Sequence, residues 1–493
     1  MDYQSTRSAS VRATSAQAVL NGLAPDGGLY TMPSLRDIQF NYPDVLGLDT
    51  LSMATAILSA LLPDYPEEEM AKLVRSGYAD KFETDDLTPS AAVGEDTVLE
   101  LFRGPTSAFK DVALSMLPRL MTAARSKCGF TDEILILTAT SGDTGKAAME
   151  GFCDVPGTKI IVFYPDGGVS PVQKAQMTTQ KGSNVCVCAV RGNFDDAQTG
   201  VKRIFAAVRD EKLLDGSGVS LSSANSINIG RLAPQVVYYF RAYADLVRAG
   251  RIHTGDKVDY VVPTGNFGDI LAGYFAKRAG LPVGKLLCAS NSNNVLTDFL
   301  RTGVYDKNRP FLRTMSPSMD ILVSSNLERL LYLAAQDGER VSEWMRALRG
   351  EGKYAVGEEL LRLLADEGFA AFFASEEETA RVIRAVWDEK GYLADPHTAA
   401  GLSAAAQYRR ESGETRPTVA LSTASPFKFA AAMLSSLGET VPENDFAALD
   451  ALSAFAKTPV PAPLDALRAR EERFKTVVEK DEMRESVRNW LVK

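Results

Sequence analysis

The sequence predicts an α/β protein with parallel sheets and helices on both sheet faces. Three observations predict it. Short apolar runs of strand length alternate with helical stretches from about residue 95 onward. The polar loops "SGDTG", "GNFGD" and "STASP" each follow directly on such a run, and ligands of parallel sheets bind beyond the strands' carboxyl ends. The chain has 493 residues, 45% apolar and 24% charged, which suits a globular protein with more than one core.

The first ninety or so residues lack this alternation. "GLAPDGGLY" (22–30) is turn-rich, because proline fixes φ and the Asp-Gly-Gly run allows positive φ. "LDTLSMATAILSALL" reads as a helix capped by Asp49 or Thr50. This region is expected to be a separate unit packed on the rest. The alternation then runs through the strand "EILILTAT" (133–140) and the helix "KAAMEGF", and through "KIIVFYP" (159–165) and "PVQKAQMTTQ". It continues with "NVCVCAV" (184–190) and "FDDAQTGVKRIFAAVRD", then with "VDYVVPTG" (258–265) and "DILAGYFAKRAG". "KLLCASN" and "TVALSTAS" are further strands. If the strands share a direction, the three polar loops lie on one rim. From about residue 447 a Pro-rich start and a charged helical pattern suggest a docking pair of helices.

Composition excludes several classes. The net charge of -9 argues against a general nucleic-acid binder, which needs a basic face. Five irregularly spaced cysteines give no disulfide framework, and with only His253 and His397 a Cys/His zinc site is not expected. Cys186 and Cys188 stand two apart on a strand, so they share one side. No window of about 18 apolar residues is present, and the first residues lack a signal-type stretch. A cytoplasmic location is therefore expected.

The chemistry concentrates in four stretches. In "ELFRGPTSAFKDVALSMLP" (100–118), Lys110 precedes an apolar helical face of Ala113, Met116, Leu117, Leu120, Met121 and Ala124. Pro118 argues against one uninterrupted helix there. A lysine at a helix N-terminus among apolar residues has its charged form disfavoured. A partly neutral amine can form a Schiff base with an aldehyde, whereas an ordinary surface lysine is the plainer reading. In "PTGNFGD" (263–269), glycines between a strand and a helix let backbone N–H groups converge on a phosphate, although a simple strand–helix turn reads the same. No Walker lysine or G-x-G-x-x-G pattern accompanies it. "TATSGDTGKAA" (138–148) can hold a carboxylate, with Asp143 capping the helix or facing a ring hydroxyl. "LSTASPFKF" (421–429) brings Ser422, Thr423 and Ser425 to a strand end, where a hydroxyl needs a heterocyclic nitrogen or a carbonyl as partner. An amine, a phosphate cradle, a carboxylate loop and a strand-end hydroxyl are the parts of a pyridoxal phosphate site.

The combination resembles the threonine synthase family, in its longer form, within the fold type II group of pyridoxal phosphate enzymes. The resemblance runs through nearly the whole chain. It includes "STR" (5–7), "GLAPDGGLY", "GPTSAFKD", "ATSGDTGKAA", "GNFDDAQ" (192–198) and "NSINIGRLAPQVVYYF" (225–240). It extends to "PTGNFGDILAGYFAKRAGLP", "SSNLERLL" (324–331), "DPHTA" (395–399) and "TASPFKF".

The resemblance implies pyridoxal 5'-phosphate as cofactor and conversion of O-phospho-L-homoserine and water to L-threonine and phosphate. It implies Lys110 as the Schiff-base lysine and Gly265, Asn266, Phe267, Gly268 and Asp269 as the cradle of the cofactor phosphate. Thr423 would face the pyridine nitrogen. Ser141, Gly142, Asp143 and Thr144 would lie over the substrate carboxylate and the cofactor ring. Asn225 and Asn228 would contact ring or substrate. Arg231 would bind the substrate phosphate, with a structural ion pair as its alternative and Lys146 and Arg103 as weaker candidates. A structural hydrogen bond is preferred for His397 over a catalytic role.

The same resemblance implies an N-terminal unit (1–94), a large domain (95–127 and 231–446), a smaller mobile domain (128–230) and a helical C-terminal extension (447–493), as monomer or homodimer. One departure stands out. The family usually reads His-Gly-Pro-Thr where this chain has Arg103 first, and arginine cannot serve as a base. Two other classes compete: a related lyase giving 2-oxobutyrate, and a non-catalytic binding module.

Overall fold

The apolar runs form strands in two parallel sheets, and the helices between them cover both faces. The structure, a computed structural model, describes residues 2–35, 38, 41–140, 142–167, 169–211 and 213–491. The larger sheet runs Phe369–Phe373, Val283–Ser290, Val258–Pro263, Thr418–Ser422, Asp96–Glu100 and Ser90–Val93. Its strands pair in parallel except the last, an antiparallel edge. The smaller sheet runs Val477–Glu479, Val185–Arg191, Thr158–Pro165, Glu133–Ala139 and Val219–Ser222, all parallel.

The Val258–Pro263 strand shows why these runs are apolar without alternation. Every residue in it is buried. Tyr260 and Val262 join a core with Tyr239, Ile270 and Leu271, whereas Val261 joins another with Leu402, Ala404 and Ala405. Helices on both faces leave no wet side for polar residues.

The N-terminal region has its own antiparallel sheet of Tyr3–Ser5, Arg12–Ala13 and Tyr30–Thr31. The expected helix is Thr50–Leu61, and Asp49 is its cap, accepting from Ser52 N at 2.9 Å.

Three expectations need correction. Pro118 does not interrupt its helix, which runs unbroken over Lys110–Lys127. A proline frees the carbonyl four residues earlier, here Leu114. Gly151 of the neighbouring helix lies against that carbonyl so closely that a Cβ would meet its oxygen at 2.0 Å. The tail is more than a pair of helices: it opens with the helix Asp445–Ala456 and a short helical turn at Ala462–Asp465. Val477–Glu479 adds a strand to the smaller sheet, with the helix Met483–Leu491 after it. Finally, the three polar loops do not share one sheet. "SGDTG" follows a strand of the smaller sheet, while "GNFGD" and "STASP" follow two adjacent strands of the larger. The two rims meet at the site.

Candidate active site

Lys110 is the first residue of its helix and is buried at 8% exposure. Its Nζ lies 3.2 Å from Ser318 Oγ and 3.8 Å from Asp143 Oδ2, over the Phe109 ring. Burial pulls its pKa down to about 8; the nearby Lys428 and Arg231 cations push the same way, and Asp143 opposes them. The preceding loop is tied at both ends. Asp111 accepts from Thr106 N at 2.8 Å. Phe109 N donates to Thr423 O at 2.8 Å, and Ser425 N to Ser107 O at 3.1 Å. The lysine is thereby stapled beside the end of the Thr418–Ser422 strand.

At that strand end, Ser422 Oγ accepts from Thr398 and Ser425 Oγ from Phe427 N. Thr423 Oγ1 has no hydrogen bond among the described residues. Next door, the Val258–Pro263 strand leads into Gly265, Asn266 and Phe267 before the helix Gly268–Arg278. Phe267 takes a left-handed φ of 62°, which turns the chain sharply into the helix. Among the described residues, no acceptor is paired with the backbone N–H groups of Gly265, Asn266 or Phe267, and the first helical N–H groups have none by geometry. A Cβ on Gly265 would stand 2.4 Å from Ser318 O, so only glycine fits. The Asp269 side chain turns behind the loop. Its carboxylate accepts from Tyr238 at 2.5 Å, and burial raises its pKa to about 7.

From the smaller sheet come Gly142, buried, and Thr144, half-buried, at the start of the helix Asp143–Phe152. Ser141 lies outside the described residues. Asp143 does not cap this helix: Thr140 Oγ1 accepts from Gly142 N and Gly145 N instead. Asp143 pairs with Lys428 at 2.5 Å as well as with Lys110. Although burial raises its pKa, these two cations outweigh that and hold it down at about 2. The two asparagines separate. Asn228 is buried and spends its amide on Gly230 N, Val19 O and Ser223 O, whereas Asn225 is exposed.

Arg231 has no ion pair among the described residues. Its Nη1 donates to Ala224 O at 2.9 Å and its buried Nε has no partner. Burial lowers its pKa to about 10. The other two phosphate candidates are committed. Arg103 binds Glu100 and Glu83 at 2.6 and 2.9 Å, and Lys146 binds Glu150 at 3.0 Å and also Gln180.

Two groups were not singled out from the sequence. Lys428 sits inside the apolar run "PFKF", and that anomaly was its one signal. Its side chain is 2% exposed and also donates to Thr106 O at 3.1 Å. Ser318 carried no local signal. His397 holds it in place: Nε2 accepts from Ser318 N at 3.1 Å, while Nδ1 meets Asp395 at 2.7 Å. Such a hydrogen-bonded pair fixes the tautomer and supports the structural role expected of His397.

This geometry can be set beside known proteins. Residues 97–424 match the family described as pyridoxal-phosphate dependent enzyme, 2–78 the threonine synthase N terminus, and 398–489 the threonine synthase C-terminal family. Threonine synthase of Saccharomyces cerevisiae is 37% identical over 88% of this chain and 89% of its own. Human threonine synthase-like 1 is 39% identical over 86% of this chain, which spans 58% of that longer protein. A pyridoxal-phosphate-bound threonine synthase from Brucella melitensis has a TM-score of 0.88 at 38% identity, covering both chains fully. The chain belongs to the threonine synthase family. A threonine synthase site must take an aldehyde, a phosphate and a pyridine nitrogen. The residues here fit that group: a buried amine with a lowered pKa, a loop whose backbone N–H groups are unpaired among the described residues and that excludes a side chain at Gly265, and a strand-end hydroxyl without a partner among the described residues.

Proposed function

We propose that the protein converts O-phospho-L-homoserine and water into L-threonine and phosphate with pyridoxal 5'-phosphate. The observation that carries this reading is the presence together of Lys110, a buried amine of lowered pKa, and Arg231, a buried guanidinium that has no carboxylate partner among the described residues. When bound, the cofactor supplies an aldehyde that joins amines and a ring that spreads negative charge from the adjoining carbon. The backbone N–H groups of Gly265, Asn266, Phe267 and Gly268 would hold its phosphate, with the Asp269 backbone completing the helix start. Thr423 Oγ1 would serve as the partner of its ring nitrogen. Being neutral, this hydroxyl does not keep that nitrogen protonated as a carboxylate would.

Lys110 Nζ takes the proton from the substrate's Cα and later returns one. Its lowered pKa makes the neutral, basic form accessible near neutral pH. Ser318 Oγ steers the amine, and Asp143 balances the charge it gains. Ser141, Gly142 and Thr144 hold the substrate carboxylate at the start of the Asp143–Phe152 helix. Asn225 reaches the substrate from the segment that Asn228 anchors. Arg231 binds the substrate phosphate, which satisfies its Nε and its charge. Closure of 128–230 against 95–127 and 231–446 excludes water until it adds at Cβ.

No helix among the described residues is long and apolar enough to cross a membrane. We place the enzyme in the cytoplasm, as monomer or homodimer. The test is product analysis with O-phospho-L-homoserine, following phosphate, threonine and 2-oxobutyrate together. Equal phosphate and threonine are expected. Phosphate with 2-oxobutyrate instead makes this a lyase on the same scaffold.

A further inference from the structure

The segment "SSNLERLL" touches the phosphate loop from behind. Ser324 Oγ donates to Gly265 O at 2.8 Å. The backbone N–H and side-chain Nδ2 of Asn326 both donate to Asn266 O, each at 3.0 Å. A trans peptide points its C=O and N–H in opposite directions. Drawing the carbonyls of Gly265 and Asn266 toward 324–326 therefore turns the N–H groups of Asn266 and Phe267 the other way, into the cradle.

Arg329 decides which way the Asn326 amide faces. Its Nη1 donates to Asn326 Oδ1, so Nδ2 is left to meet Asn266 O and, at 3.2 Å, Ser226 O. Arg329 is fully buried, at 0% exposure. Its other bonds go to carbonyls, Tyr30 O at 2.9 Å and Ile227 O at 2.5 Å. The adjacent Glu328 is taken by Arg7 at 2.8 Å and by Thr6 at 2.6 Å. No carboxylate among the described residues is hydrogen-bonded to the Arg329 guanidinium. A fork of donors held by three neutral acceptors in fixed directions is a use that lysine cannot match.

We propose that Arg329 is the positioning residue of the phosphate cradle: through Asn326 it aims the N–H groups of Asn266 and Phe267 at the cofactor phosphate, and it adds a buried positive charge behind them. It is not a catalytic residue. The inference rests on the proposed role of that loop. It also gives the N-terminal motifs a function, since "STR" engages Glu328 and "GLY" presents the Tyr30 carbonyl.

The test compares pyridoxal 5'-phosphate with pyridoxal, which has the same aldehyde and no phosphate. Dissociation constants are measured by fluorescence titration of the full-length protein after cofactor removal. Losing a buried hydrogen bond to a charged group costs about 1.5–3 kcal/mol, or roughly 10- to 100-fold in affinity. Arg329→Met is expected to weaken pyridoxal phosphate by about that factor and to leave pyridoxal within about 3-fold. Arg329→Lys is expected to restore only part of the loss. Asn326→Asp keeps an acceptor for Arg329 but cannot donate to Asn266 O, so it should reproduce the phosphate-specific loss in a chain that still folds. Equal losses for both ligands, or no loss in either Arg329→Met or Asn326→Asp, would overturn the proposal. A wild-type protein that binds pyridoxal phosphate no more tightly than pyridoxal would instead sink the phosphate-loop reading itself.

Discussion

Replacing Lys110 with methionine keeps the length of the side chain and removes its charge. In the cofactor-free protein this should stabilise the fold, and by an amount that depends on pH. The Lys110 pKa is lowered from 10.5 to about 8 by burial. Between these values the unfolded chain binds more protons than the folded one, so wild-type stability rises with pH across that window. At 1.36 kcal/mol per pKa unit, the charged amine costs about 3 kcal/mol near pH 7 and about 1.5 kcal/mol near pH 9.5. The packing difference between methionine and lysine does not change with pH. It cancels when urea unfolding of both proteins is compared at the two pH values. The advantage of Lys110→Met should shrink by about 2 kcal/mol on going from pH 7 to pH 9.5. A gap that stays constant, or that widens, would show that the amine is as well solvated as a surface lysine, and the argument for a neutral base at this position would fail.

Three further outcomes follow from the site. Gly265→Ala places a Cβ 2.4 Å from the Ser318 carbonyl, so the 317–319 turn must move; the protein should fold but hold pyridoxal phosphate about 10-fold more weakly by titration. Lys428→Met takes from buried Asp143 its nearer cation and leaves the more distant Lys110, and should destabilise the protein by about 3 kcal/mol near pH 7 in urea unfolding. Because the Asp143 pKa is depressed to about 2, its stabilising contribution is present above 3.8 and is lost as pH falls through 2, so this deficit should narrow as the medium is acidified. Arg231→Leu removes a buried charge that has no partner carboxylate among the described residues, so Tm should hold or rise while KM for O-phospho-L-homoserine rises by roughly 10- to 100-fold. A fall in Tm with KM unchanged would point to a structural arginine.

The strands were legible because burial on both faces leaves a continuous apolar run. "VDYVVP" is such a run, and its Asp259 is the exception that explains itself, meeting Lys285 N at 2.6 Å and Arg416 at 3.0 Å. The tail strand Val477–Glu479 was not legible. It has three residues and a charged setting, and it forms only because the smaller sheet offers an open edge at Val185–Arg191. Pro118 misled for a related reason. The cost of a mid-helix proline depends on where the freed carbonyl goes, and Gly151 lies in another helix. Local sequence carries the cost without the compensation.

The site divides along the same line. Lys110, the 265–269 loop and Thr423 were found because each lies where a strand or loop meets a helix, a local pattern with local chemistry. What sets the properties of Lys110 is not local. Its orienting hydroxyl, Ser318, is 208 residues away, and the serine is placed by His397 a further 79 residues on. The lysine that competes for Asp143 comes from the short 3-10 turn Pro426–Phe429. A pKa is a sum over neighbours in space, so a sequence can show which amine is poised without showing what poises it. Arg103, which stands where the resemblance implies a histidine, is bound to Glu100 and Glu83 and points its charge at them. If proton transfer here depended on a base at position 103, this chain would be inactive. The groups that surround Lys110, namely Ser318, Asp143, Lys428 and Arg231, are all present and do not involve Arg103. Restoring the family residue with Arg103→His should therefore leave kcat within about 3-fold while breaking two ion pairs, and a large gain in kcat would mean that the amine alone does not carry the proton.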